Sequence, residues 1–510
     1  MPYEPVIGLE VHAELLTQSK MFCGCAVVDN TSAEPNRFVC PICAGMPGTL
    51  PVINEKAVEY ALRVALALEC TVAPVNVFAR KNYFYPDLPK GYQISQYELP
   101  LARNGRLVIE TGSGEKIVGI RRVHLEEDTG KLFHLAAGAD SGPSTLPAPP
   151  STVPGPYSLV DLNRAGVPLL EIVTEPDLRS VEELKAFATG LRTLLRYLGV
   201  NSGDMEKGVL RFEANISVRP QGSSALGTRT EIKNVNSLRG LVRAVEYEIH
   251  RQSALLDAGG KVIQETVGWD ETAGATVSQR GKEEAHDYRY FPEPDLPPLV
   301  IEPEWIERVR AELPELPAAK QARFERDYGL SPYDSSVLVA ERAVADYFEA
   351  AIKAGADLPP RQIANWLSSS LFGLMNRAGR DIGEIAVGPA DLAELVRLVL
   401  SGQINANTGK TVLAEMFETG EPASEIIKAR GLALVNDEPE IARQVAEVLA
   451  SNPDQVQLYL EGKATLEQWF VGQAMKALRG KADPQVVKRL VDEQLAAKSL
   501  GAGVSTRDGH

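Results

Sequence analysis

Val6-Ile7-Gly8-Leu9-Glu10-Val11-His12-Ala13-Glu14, close to the N-terminus, alternates between apolar side chains and side chains able to do chemistry. Successive residues of a β-strand point to opposite faces, so this stretch predicts a strand with one buried face. The other face carries Glu10, His12 and Glu14, which are potential ligands of a hard cation or acid–base groups. Taken alone, the stretch would favour a solvated edge strand over a functional site. His12 could also be a structural histidine, although its two flanking carboxylates argue against that.

Three further stretches show similarly mixed faces. Leu210 to Arg219 and Arg229 to Val235 alternate apolar side chains with charged or amide side chains. Another strand near Val118 runs into His124-Leu125-Glu126-Glu127-Asp128, so three acids meet at a strand end, where sites are usually built. We expect the four strands to line one concave sheet, with carboxylates binding Mg²⁺ and arginine or lysine binding phosphate. The alternative is a sheet surface covered by salt bridges.

Four of the five cysteines form two closely spaced pairs, Cys23 with Cys25 and Cys40 with Cys43. Two such pairs across a polar loop are typical of a four-thiolate structural Zn²⁺ site. A redox pair at Cys40 and Cys43, or unrelated buried thiols, are the alternatives. So few cysteines in a chain of 510 residues indicate a reducing compartment rather than a disulfide scaffold.

The length of the chain suggests about three domains, because one hydrophobic core does not grow to this size. We expect an α+β protein, in which residues 1–292 form a mixed or antiparallel β-sheet cradle with inserted helices. The proline-rich segment Phe291 to Pro298 disfavours helix and predicts a connector. Beyond it we predict an all-helical connector domain, 293–355, an all-helical tail, 356–497, and a disordered C-terminus, 498–510. No apolar run reaches transmembrane length and no signal or transit peptide is visible, so we expect a cytoplasmic protein without membrane contact.

The net charge of −15 does not by itself suggest a nucleic-acid binder. Basic side chains nevertheless concentrate near the C-terminus, at Lys476, Arg479, Lys481, Lys488 and Arg489. Such a patch could bind the phosphates of a nucleic acid, although a run of this kind is more often a solvated helix face.

A phosphate-binding loop of the GxxxxGK[ST] type is missing from the sequence. Gly409-Lys410-Thr411 comes closest, but Ile404 occupies the position of the required first glycine. A bound nucleotide would therefore have to be held by side chains and metal on the sheet.

Long segments of the chain resemble the B subunit of the glutamyl/aspartyl-tRNA amidotransferase family, in the same order and over nearly the whole length. These segments are GLEVH (8–12), RKNYFYPDLPKGYQISQYE (80–98), HLEEDTGK (124–131), DLNRAGVPLLEIVTEPD (161–177), LRFEANISVR (210–219), TRTEIKNVNS (228–237), KEEAHDYRYFPEPDLPP (282–298) and FVGQAMKALRGKADPQ (470–485). The chain departs from the family at Phe212, where cysteine is frequent, and at Glu213, where the shorter aspartate is common. An insertion rich in Gly, Ser, Pro and Thr, 138–156, lies between matching segments and affects loop geometry rather than chemistry.

The resemblance implies a ligase reaction on misacylated tRNA, either Glu-tRNA(Gln) or Asp-tRNA(Asn). ATP phosphorylates the side-chain carboxylate, and ammonia then displaces phosphate to give Gln-tRNA(Gln) or Asn-tRNA(Asn). Glutamine hydrolysis in a partner amidase (glutaminase), the A subunit of the enzyme, supplies the ammonia, and the small C subunit makes up a heterotrimer. This sequence shows neither an amidase signature nor an N-terminal cysteine nucleophile, which agrees with a separate ammonia source. The resemblance also implies that the helical tail contacts tRNA.

Site residues follow from the same resemblance, by carry-over onto matching positions. It implies a Mg²⁺ shell that is also part of the catalytic set, namely Glu10, His12, Glu127 and Glu213. Lys233 is a further catalytic candidate, and the groups expected to bind ATP are Arg164, Arg211, Arg229, Asn215 and Glu231. Second-layer or substrate groups would be Asp161, Asn163 and Glu171. Zn²⁺, bound by the four paired cysteines, would be structural.

Two other classes of function compete with this one. A stand-alone Mg²⁺-dependent ligase acting on a free small acid is disfavoured by the long helical tail and the missing ammonia source. A non-catalytic tRNA-binding scaffold would use the cradle for recognition only, and it predicts unchanged turnover when Glu10 or His12 is substituted. An archaeal-type paralogue specific for Glu-tRNA shares the cradle but carries a large inserted domain, for which this chain has no room.

Overall fold

The structure, a computed structural model, describes residues 3–135, 157–281, 288–433, 438–478 and 482–504. Contacts divide the chain into two compact units, the first ending at Pro317 and the second beginning at Ala318. The first unit combines β-sheets with helices, and the described part of the second is helical. The predicted α+β class, a mixed sheet followed by helices, is therefore confirmed. The insertion 138–156 lies outside the described residues.

The secondary structure of the first unit begins with the strand that the alternating N-terminal stretch predicted. Its strands are β1 (Tyr3–Glu14), β2 (Thr71–Val72), β3 (Val75–Asn76), β4 (Phe78–Asn82), β5 (Tyr92–Gln96), β6 (Ala102–Thr111), β7 (Gly114–Glu127), β8 (Lys131–Leu135), β9 (Tyr157–Asp161), β10 (Pro168–Thr174), β11 (Leu210–Pro220), β12 (Thr230–Lys233), β13 (Glu265–Asp270), β14 (Ala275–Gly281), β15 (Phe291–Pro292) and β16 (Leu299–Val300). Its helices are α1 (Glu55–Ala67), α2 (Val181–Tyr197), α3 (Leu238–Asp257) and α4 (Pro303–Ala311).

One large sheet organises this unit. Nine strands follow the spatial order β14-β13-β12-β11-β1-β10-β7-β6-β2. Neighbouring strands are antiparallel, except for the parallel pair β12 and β13. Strand β1 lies in the middle because it pairs on one side with β10 and on the other with β11. Three smaller sheets join β15, β4 and β5, then β16 and β3, and finally β8 and β9.

The apolar face of β1 lies in the core of the unit. Ile7, Leu9 and Val11 are at most 1% exposed and belong to one cluster with the apolar stripes of α1, α2 and α3. Burying each such side chain contributes about 1.5–3 kcal/mol, so the strand is fixed with this face inward. A shift of one residue in register would bury the charged face instead. The chemical side chains therefore project from the face of the sheet opposite these helices.

The turn after β12 fixes the position of Lys233. Asn234 adopts a φ of 58°, in the left-handed region that asparagine tolerates better than most residues, and this ends the strand. Three residues later the Ser237 hydroxyl accepts a hydrogen bond from Gly240 N at 3.0 Å and caps the start of α3. Lys233 is thus held at the last position of a strand, between two rigid elements.

The helices from Pro317 onward belong almost wholly to the second unit. They are α5 (Pro317–Tyr328), α6 (Pro332–Val339), α7 (Arg342–Ala354), α8 (Pro360–Asn365), a π-helical segment (Trp366–Leu371), α9 (Phe372–Ala378), α10 (Pro389–Leu400), α11 (Ala406–Thr419), α12 (Ala423–Arg430), α13 (Glu438–Ala450), α14 (Pro453–Leu460), α15 (Leu466–Ala477) and α16 (Pro484–Val504). Helices α13 to α16 share an apolar cluster that includes Phe470 and Val491, both 0% exposed.

The predicted connector domain, 293–355, spans the division between the two units. Its first helix, α4, packs on α1 in the first unit and buries Val309 in that core. The domain boundaries at 292, 355 and 497 stay predictions. Helix α16 reaches Val504, so the first part of the segment expected to be disordered, 498–510, is helical. Within the described ranges, no helix combines the length and the apolar character needed to cross a membrane.

Candidate active site

The pairing register brings chemical side chains from four strands together on the face opposite the helices. His12 on β1 lies opposite Glu171 on β10 and opposite Arg211 on β11. Glu171 in turn lies opposite His124 on β7. Residues directly opposite in a sheet project to the same face, so these four side chains form one row across it.

Two members of this row, His12 and Glu171, form a group with Glu126 of β7 that is here called the histidine cluster. His12 Nε2 lies 3.7 Å from Glu171 Oε2 and 3.9 Å from Glu126 Oε1. One ligand atom from each of the three lies within 4.8 Å of the others, a spacing that could hold a metal ion. His124 Nε2 contacts Glu171 Oε2 at 3.1 Å from the neighbouring strand. Strand pairing, not sequence proximity, assembles this set.

The histidine cluster and its neighbour His124 contain polar atoms that the described residues do not satisfy. His12 Nδ1, His124 Nδ1 and Glu126 Oε2 are buried and have no hydrogen-bond partner there. Orphaned buried polar atoms cost free energy, and in native proteins they often mark a place where a ligand binds. Carboxylates with one imidazole suit a divalent cation, and the carboxylates favour Mg²⁺ or Mn²⁺. The residues present therefore fit such an ion.

Electrostatics in the histidine cluster favour charged side chains despite burial. Burial lowers the pKa of His12, but the carboxylates of Glu171, Glu213 and Glu126 outweigh it and raise that pKa to about 9. Burial also opposes ionisation of Glu171, whereas His124 and His12 hold its pKa well below the usual range. Without a bound cation, an imidazolium takes the place of the ion.

A second group, here called the acidic cluster, lies two residues earlier on β1. Carboxylate oxygens of Glu10, Glu213 and Glu231 lie within 4.8 Å of one another. Lys233 Nζ approaches Glu213 Oε2 at 2.7 Å and Glu231 Oε1 at 3.5 Å, while Asn215 Nδ2 donates to Glu10 Oε1 at 3.0 Å. Burial, followed by neighbouring carboxylates, raises the pKa of Glu10. Three acids around one lysine leave a local excess of negative charge that favours cation binding.

A third group lies at the end of β1. Arg211 Nη1 contacts Asp128 Oδ2 at 2.9 Å and Glu14 Oε1 at 3.7 Å. Arg164 donates to two backbone carbonyl oxygens of the loop after β7, at 3.0 and 2.7 Å. Burial and the charge of Asp128 raise the pKa of Glu14 to about 8. Both arginines, expected from sequence to contact phosphate, are engaged with the protein here.

Arg229 lies beside the acidic cluster and differs from the other two arginines. It is exposed and forms no ion pair or hydrogen bond with any part of the chain that the structure describes. Together with Glu10 and Asn215 it lines a cavity of about 230 Å³. Of the three arginines among the predicted phosphate contacts, Arg229 is therefore the one that could bind a ligand without breaking an existing ion pair.

The four paired cysteines converge in the loops between β1 and α1. One sulfur from each lies within 4.8 Å of the others, and Cys43 Sγ lies 3.8 Å from Cys40 Sγ and 4.0 Å from Cys25 Sγ. Tetrahedral Zn²⁺ with bonds of about 2.3 Å places its sulfurs roughly 3.8 Å apart. A hydrogen bond from Cys23 lowers the pKa of Cys43 to about 4, with further help from Lys20. The donor set fits zinc better than a single redox pair, because all four thiols meet.

Asp161 and Asn163, expected as second-layer or substrate groups, hold this cysteine-containing region instead. Asp161 Oδ1 accepts a hydrogen bond from Asn36 N at 2.9 Å, and Asn163 Oδ1 accepts one from Phe38 N at 2.9 Å. Asn163 Nδ2 donates to Glu34 O at 2.8 Å. These hydrogen bonds tie the loop between the two cysteine pairs to the end of β9 and the residues that follow it.

Comparison with known proteins agrees with this geometry. The sequence profile of the GatB/GatE catalytic domain matches residues 5–307, and that of the GatB domain matches residues 346–495. The chain belongs to the GatB family. It is 50% identical to the aspartyl/glutamyl-tRNA(Asn/Gln) amidotransferase B subunit of Thermodesulfovibrio yellowstonii, over 96% of this chain and 99% of that one. Subunits of the same name from Moorella thermoacetica and Myxococcus xanthus are 51% and 50% identical, over 97% of this chain and 100% and 98% of theirs.

Glu127 is the one predicted metal ligand of this GatB-family chain that the structure places elsewhere. Side chains alternate along β7, so Glu126 follows His124 onto the chemical face and Glu127 points to the opposite face. There its carboxylate pairs with Lys90 and accepts a hydrogen bond from Ile94 N at 2.9 Å. The four residues of the expected shell therefore do not meet at one point: His12 belongs to the histidine cluster, Glu10 and Glu213 belong to the acidic cluster, and Glu127 belongs to neither.

Sequence alone missed two residues at this site of the GatB-family chain, Glu126 and Lys81, and gave a third, Glu171, a lesser role. Counting alternate residues from His124 would have identified Glu126. Glu171 was expected only as a supporting group, and the strand register makes it the centre of the histidine cluster. The charges of Glu126 and Glu171 raise the pKa of Lys81 on β4, and nothing in the sequence around Lys81 indicates this interaction.

The predicted tRNA-binding residues of the tail are only partly described. Arg479 and Lys481 lie outside the described residues. Lys488 approaches Glu467 at 3.5 Å, and Arg489 pairs with Glu438 and, at 3.1 Å, with Glu493. Lys476 is exposed. Nearby acids thus offset part of the positive charge that the sequence suggested for this patch.

Proposed function

We propose that this chain is the kinase and transamidase subunit of a tRNA-dependent amidotransferase. In this reaction, ATP phosphorylates the side-chain carboxylate of Glu-tRNA(Gln) or Asp-tRNA(Asn), and ammonia displaces the phosphate to form the amide. The observation that carries the proposal is the paired histidine and acidic clusters along β1, in a chain half identical to proteins named as the B subunit of that enzyme. Phosphoryl transfer depends on positioning and charge neutralisation, which such a face can provide.

Within this function, the histidine cluster and the acidic cluster are the proposed Mg²⁺ ligands. Support comes from the unsatisfied atoms of His12 and Glu126 and from the crowded carboxylates around Glu10. A bound Mg²⁺ would neutralise the charge on the transferring phosphoryl group. Lys233 would orient Glu213 and Glu231, and Asn215 would orient Glu10.

For ATP, Arg229 is the proposed contact with the phosphates, because it lines the cavity beside Glu10 and has no competing acid among the described residues. Arg164 and Arg211 would shape the far end of the face by holding Asp128, Glu14 and the loop after β7. This role differs from the direct phosphate contact expected from sequence.

Zn²⁺ is the proposed occupant of the four-cysteine site, where it would be structural. The distances between the thiols and the hydrogen bonds that anchor the intervening loop support this. The ion would cross-link two loops that the chain otherwise joins only by hydrogen bonds.

The proposed partners are an amidase (the A subunit) and a small third protein (the C subunit) in a heterotrimer, together with misacylated tRNA contacted by the helical tail. The names of the relatives, each the B subunit of an amidotransferase for tRNA(Asn/Gln), support a multi-subunit enzyme. We place the reaction in the cytoplasm, in agreement with five cysteines that form no disulfide.

The deciding experiment measures phosphate release from ATP by the chain in complex with its amidase partner, with and without Glu-tRNA(Gln). The wild-type complex should show tRNA-stimulated release, and His12→Ala should lower it by about 10²-fold or more. His250→Ala, at an exposed histidine of α3, is the matched control and should keep the wild-type rate.

Unchanged release in His12→Ala would refute the kinase assignment of this face. Two results together would favour the non-catalytic scaffold. Truncation of the tail would abolish tRNA binding, and complexes with substitutions in the cradle would keep the wild-type turnover.

A further inference from the structure

Lys81 lies among aromatic rings at the border of the histidine cluster. It belongs to β4 in the small sheet that also contains β15, and the chain reaches β15 through Tyr288 and Tyr290. Lys81 Nζ lies 5.1 Å from the centre of the Tyr288 ring and 5.8 Å from that of Tyr83. Both distances fall within the usual range of cation–π contacts.

These rings support one another. Tyr83 and Tyr288 meet edge to face at 5.9 Å, and Tyr288 meets Tyr290 at 6.0 Å. Tyr97 stacks on Tyr290 with ring centres 4.0 Å apart and planes nearly parallel. A side chain in contact with two rings of this packed group has little conformational freedom, so the ammonium is held in place before any ligand arrives.

Lys81 differs from the other cations of this face in its partners. A carboxylate oxygen lies 2.7 Å from Lys233 Nζ, and another lies 2.9 Å from Arg211 Nη1. Within the described ranges, the side chain of Lys81 neither forms an ion pair nor donates a hydrogen bond. Burial lowers its pKa, but the charge of Glu126, followed by Tyr290, Tyr83 and Glu171, raises it on balance, so the group stays cationic.

The half-buried ammonium of Lys81 has no hydrogen-bond acceptor among the described residues, and the tyrosine faces offset only part of the cost of its burial. The carboxylates of Glu126 and Glu171 in the histidine cluster raise the pKa of Lys81 without forming an ion pair with it. We propose that Lys81 is a catalytic residue whose ammonium binds the anionic oxygens of the transferring phosphoryl group. The inference rests on the function proposed above.

The proposed role of Lys81 is electrostatic stabilisation of the transferring phosphoryl group. An oxygen of the substrate carboxylate forms a bond to the γ-phosphorus, the bond from that phosphorus to the β–γ bridging oxygen breaks, and ADP leaves with the electron pair. Lys81 donates hydrogen bonds to the transferring oxygens throughout and transfers no proton. Its rigid aromatic surroundings mean that little reorganisation is needed as charge develops.

The test compares Lys81→Met and Lys81→Arg with Lys56→Met in the complete complex with the amidase partner. Lys56 is the matched control, because its ammonium lies 4.9 Å from the ring centre of Tyr60 on α1, a cation–π contact outside the site. Lys81→Met should lower kcat for tRNA-dependent phosphate release by roughly 10²–10³-fold, with a much smaller change in KM for tRNA. Lys81→Arg should recover at least a tenth of the wild-type rate, and Lys56→Met should stay within about twofold.

A second readout separates catalysis from a structural role. Removing a buried charge without an ion pair should leave the thermal unfolding midpoint of Lys81→Met equal to or above that of the wild type. A lowered midpoint with kcat per folded complex unchanged would overturn the proposal, as would phosphate release that persists while amide formation is lost. If Lys81→Met does not fold, Lys81→Gln is judged by the same criteria. If the wild-type complex itself shows no tRNA-stimulated release, the proposed function fails and this inference fails with it.

Discussion

Two regions of this chain bury charged side chains in opposite ways. In the second unit, Lys320 of α5 is 6% exposed, and its ammonium contacts both Asp346 and Glu349 of α7 at 3.0 Å. Arg323 contacts the other oxygen of Glu349 at 2.8 Å, so opposite charges alternate through the group. On the face of β1 in the first unit, carboxylates lie next to carboxylates instead.

This difference is what we expect between a structural network and the proposed functional face. The α5–α7 network provides each buried charge with a nearby opposite charge, which is what stability requires. The β1 face leaves His12 Nδ1 and Glu126 Oε2 without partners in the described residues and raises the pKa of Glu10. Perturbed and unsatisfied groups concentrate where a protein binds or transforms something.

The largest effect that would test this comparison is expected at Glu171. Glu171→Gln keeps the shape of the side chain but removes the charge that faces His12 and His124. We expect tRNA-dependent phosphate release by the complex to fall by about 10²–10³-fold. Glu175→Gln breaks an exposed pair with Arg121 just beyond the same strand, and it should leave the rate near that of the wild type. Equal effects of the two substitutions would contradict a functional origin for the β1 face.

Substitution at the cysteine site should have the opposite effect, because it should lower the stability of the protein and leave the rate of phosphate release nearly unchanged. Cys43→Ser is expected to remove bound Zn²⁺, as measured by metal analysis, and to lower the thermal unfolding midpoint by several degrees. Phosphate release per folded complex should stay within about threefold. Cys70→Ala, at a buried thiol outside the site, is the control and should keep the metal. Zinc retained by Cys43→Ser would exclude the four-thiolate site.

A pH-dependent effect of intermediate size is expected at Glu14. Burial and Asp128 raise its pKa to about 8, whereas an unfolded chain ionises a glutamate near pH 4.3. Between these values the unfolded chain releases a proton that the folded chain keeps, so the wild type loses stability as pH rises and stops losing it above pH 8. Glu14→Gln removes this loss and should be more stable than the wild type by roughly 2–4 kcal/mol at pH 9. Urea midpoints at pH 6 and pH 9, without divalent cations, measure this; a difference that does not grow with pH would contradict it.

The smallest effect is expected in the second unit. Lys320→Met leaves Asp346 and Glu349 without their shared ammonium, but Asp346 is 51% exposed and largely screened by water. We therefore expect a loss of about 1–2 kcal/mol, seen as a lower thermal midpoint, with phosphate release unchanged. Lys353→Met, exposed on the same helix α7, should change neither. Lys81→Met and Lys320→Met thus make opposite predictions for two lysines that both lie mostly inside the protein.

Much of the fold followed from local pattern. The alternation along Val6–Glu14 predicted a strand with a buried and a chemical face, and Ile7, Leu9 and Val11 are indeed in the core. The division of the chain was harder to foresee, because the apolar stripe of α4 could have packed on either unit. Only the structure shows Val309 in the core of the first one.

The candidate site was predictable where it depends on one strand and less so where it depends on pairing. Glu127 was expected by carry-over from the family resemblance, whereas alternation continued from His124 along β7 selects Glu126. Glu171 became central only through its register with His12. Lys81 could not be found from sequence, because its surroundings come from Tyr288 and Tyr290, about two hundred positions further along the chain.

The central position of β1 also has a consequence for synthesis on the ribosome. Tyr3–Glu14 pairs with Pro168–Thr174 and Leu210–Pro220, so this strand cannot find both of its neighbours until the growing chain has passed residue 220. At about 5–20 residues per second, this wait lasts roughly 10–40 s. During it, an apolar strand edge is exposed without a partner, and long-range pairing of this kind folds slowly. The arrangement that assembles the site from distant strands thus makes the folding of β1 depend on segments that are synthesised much later.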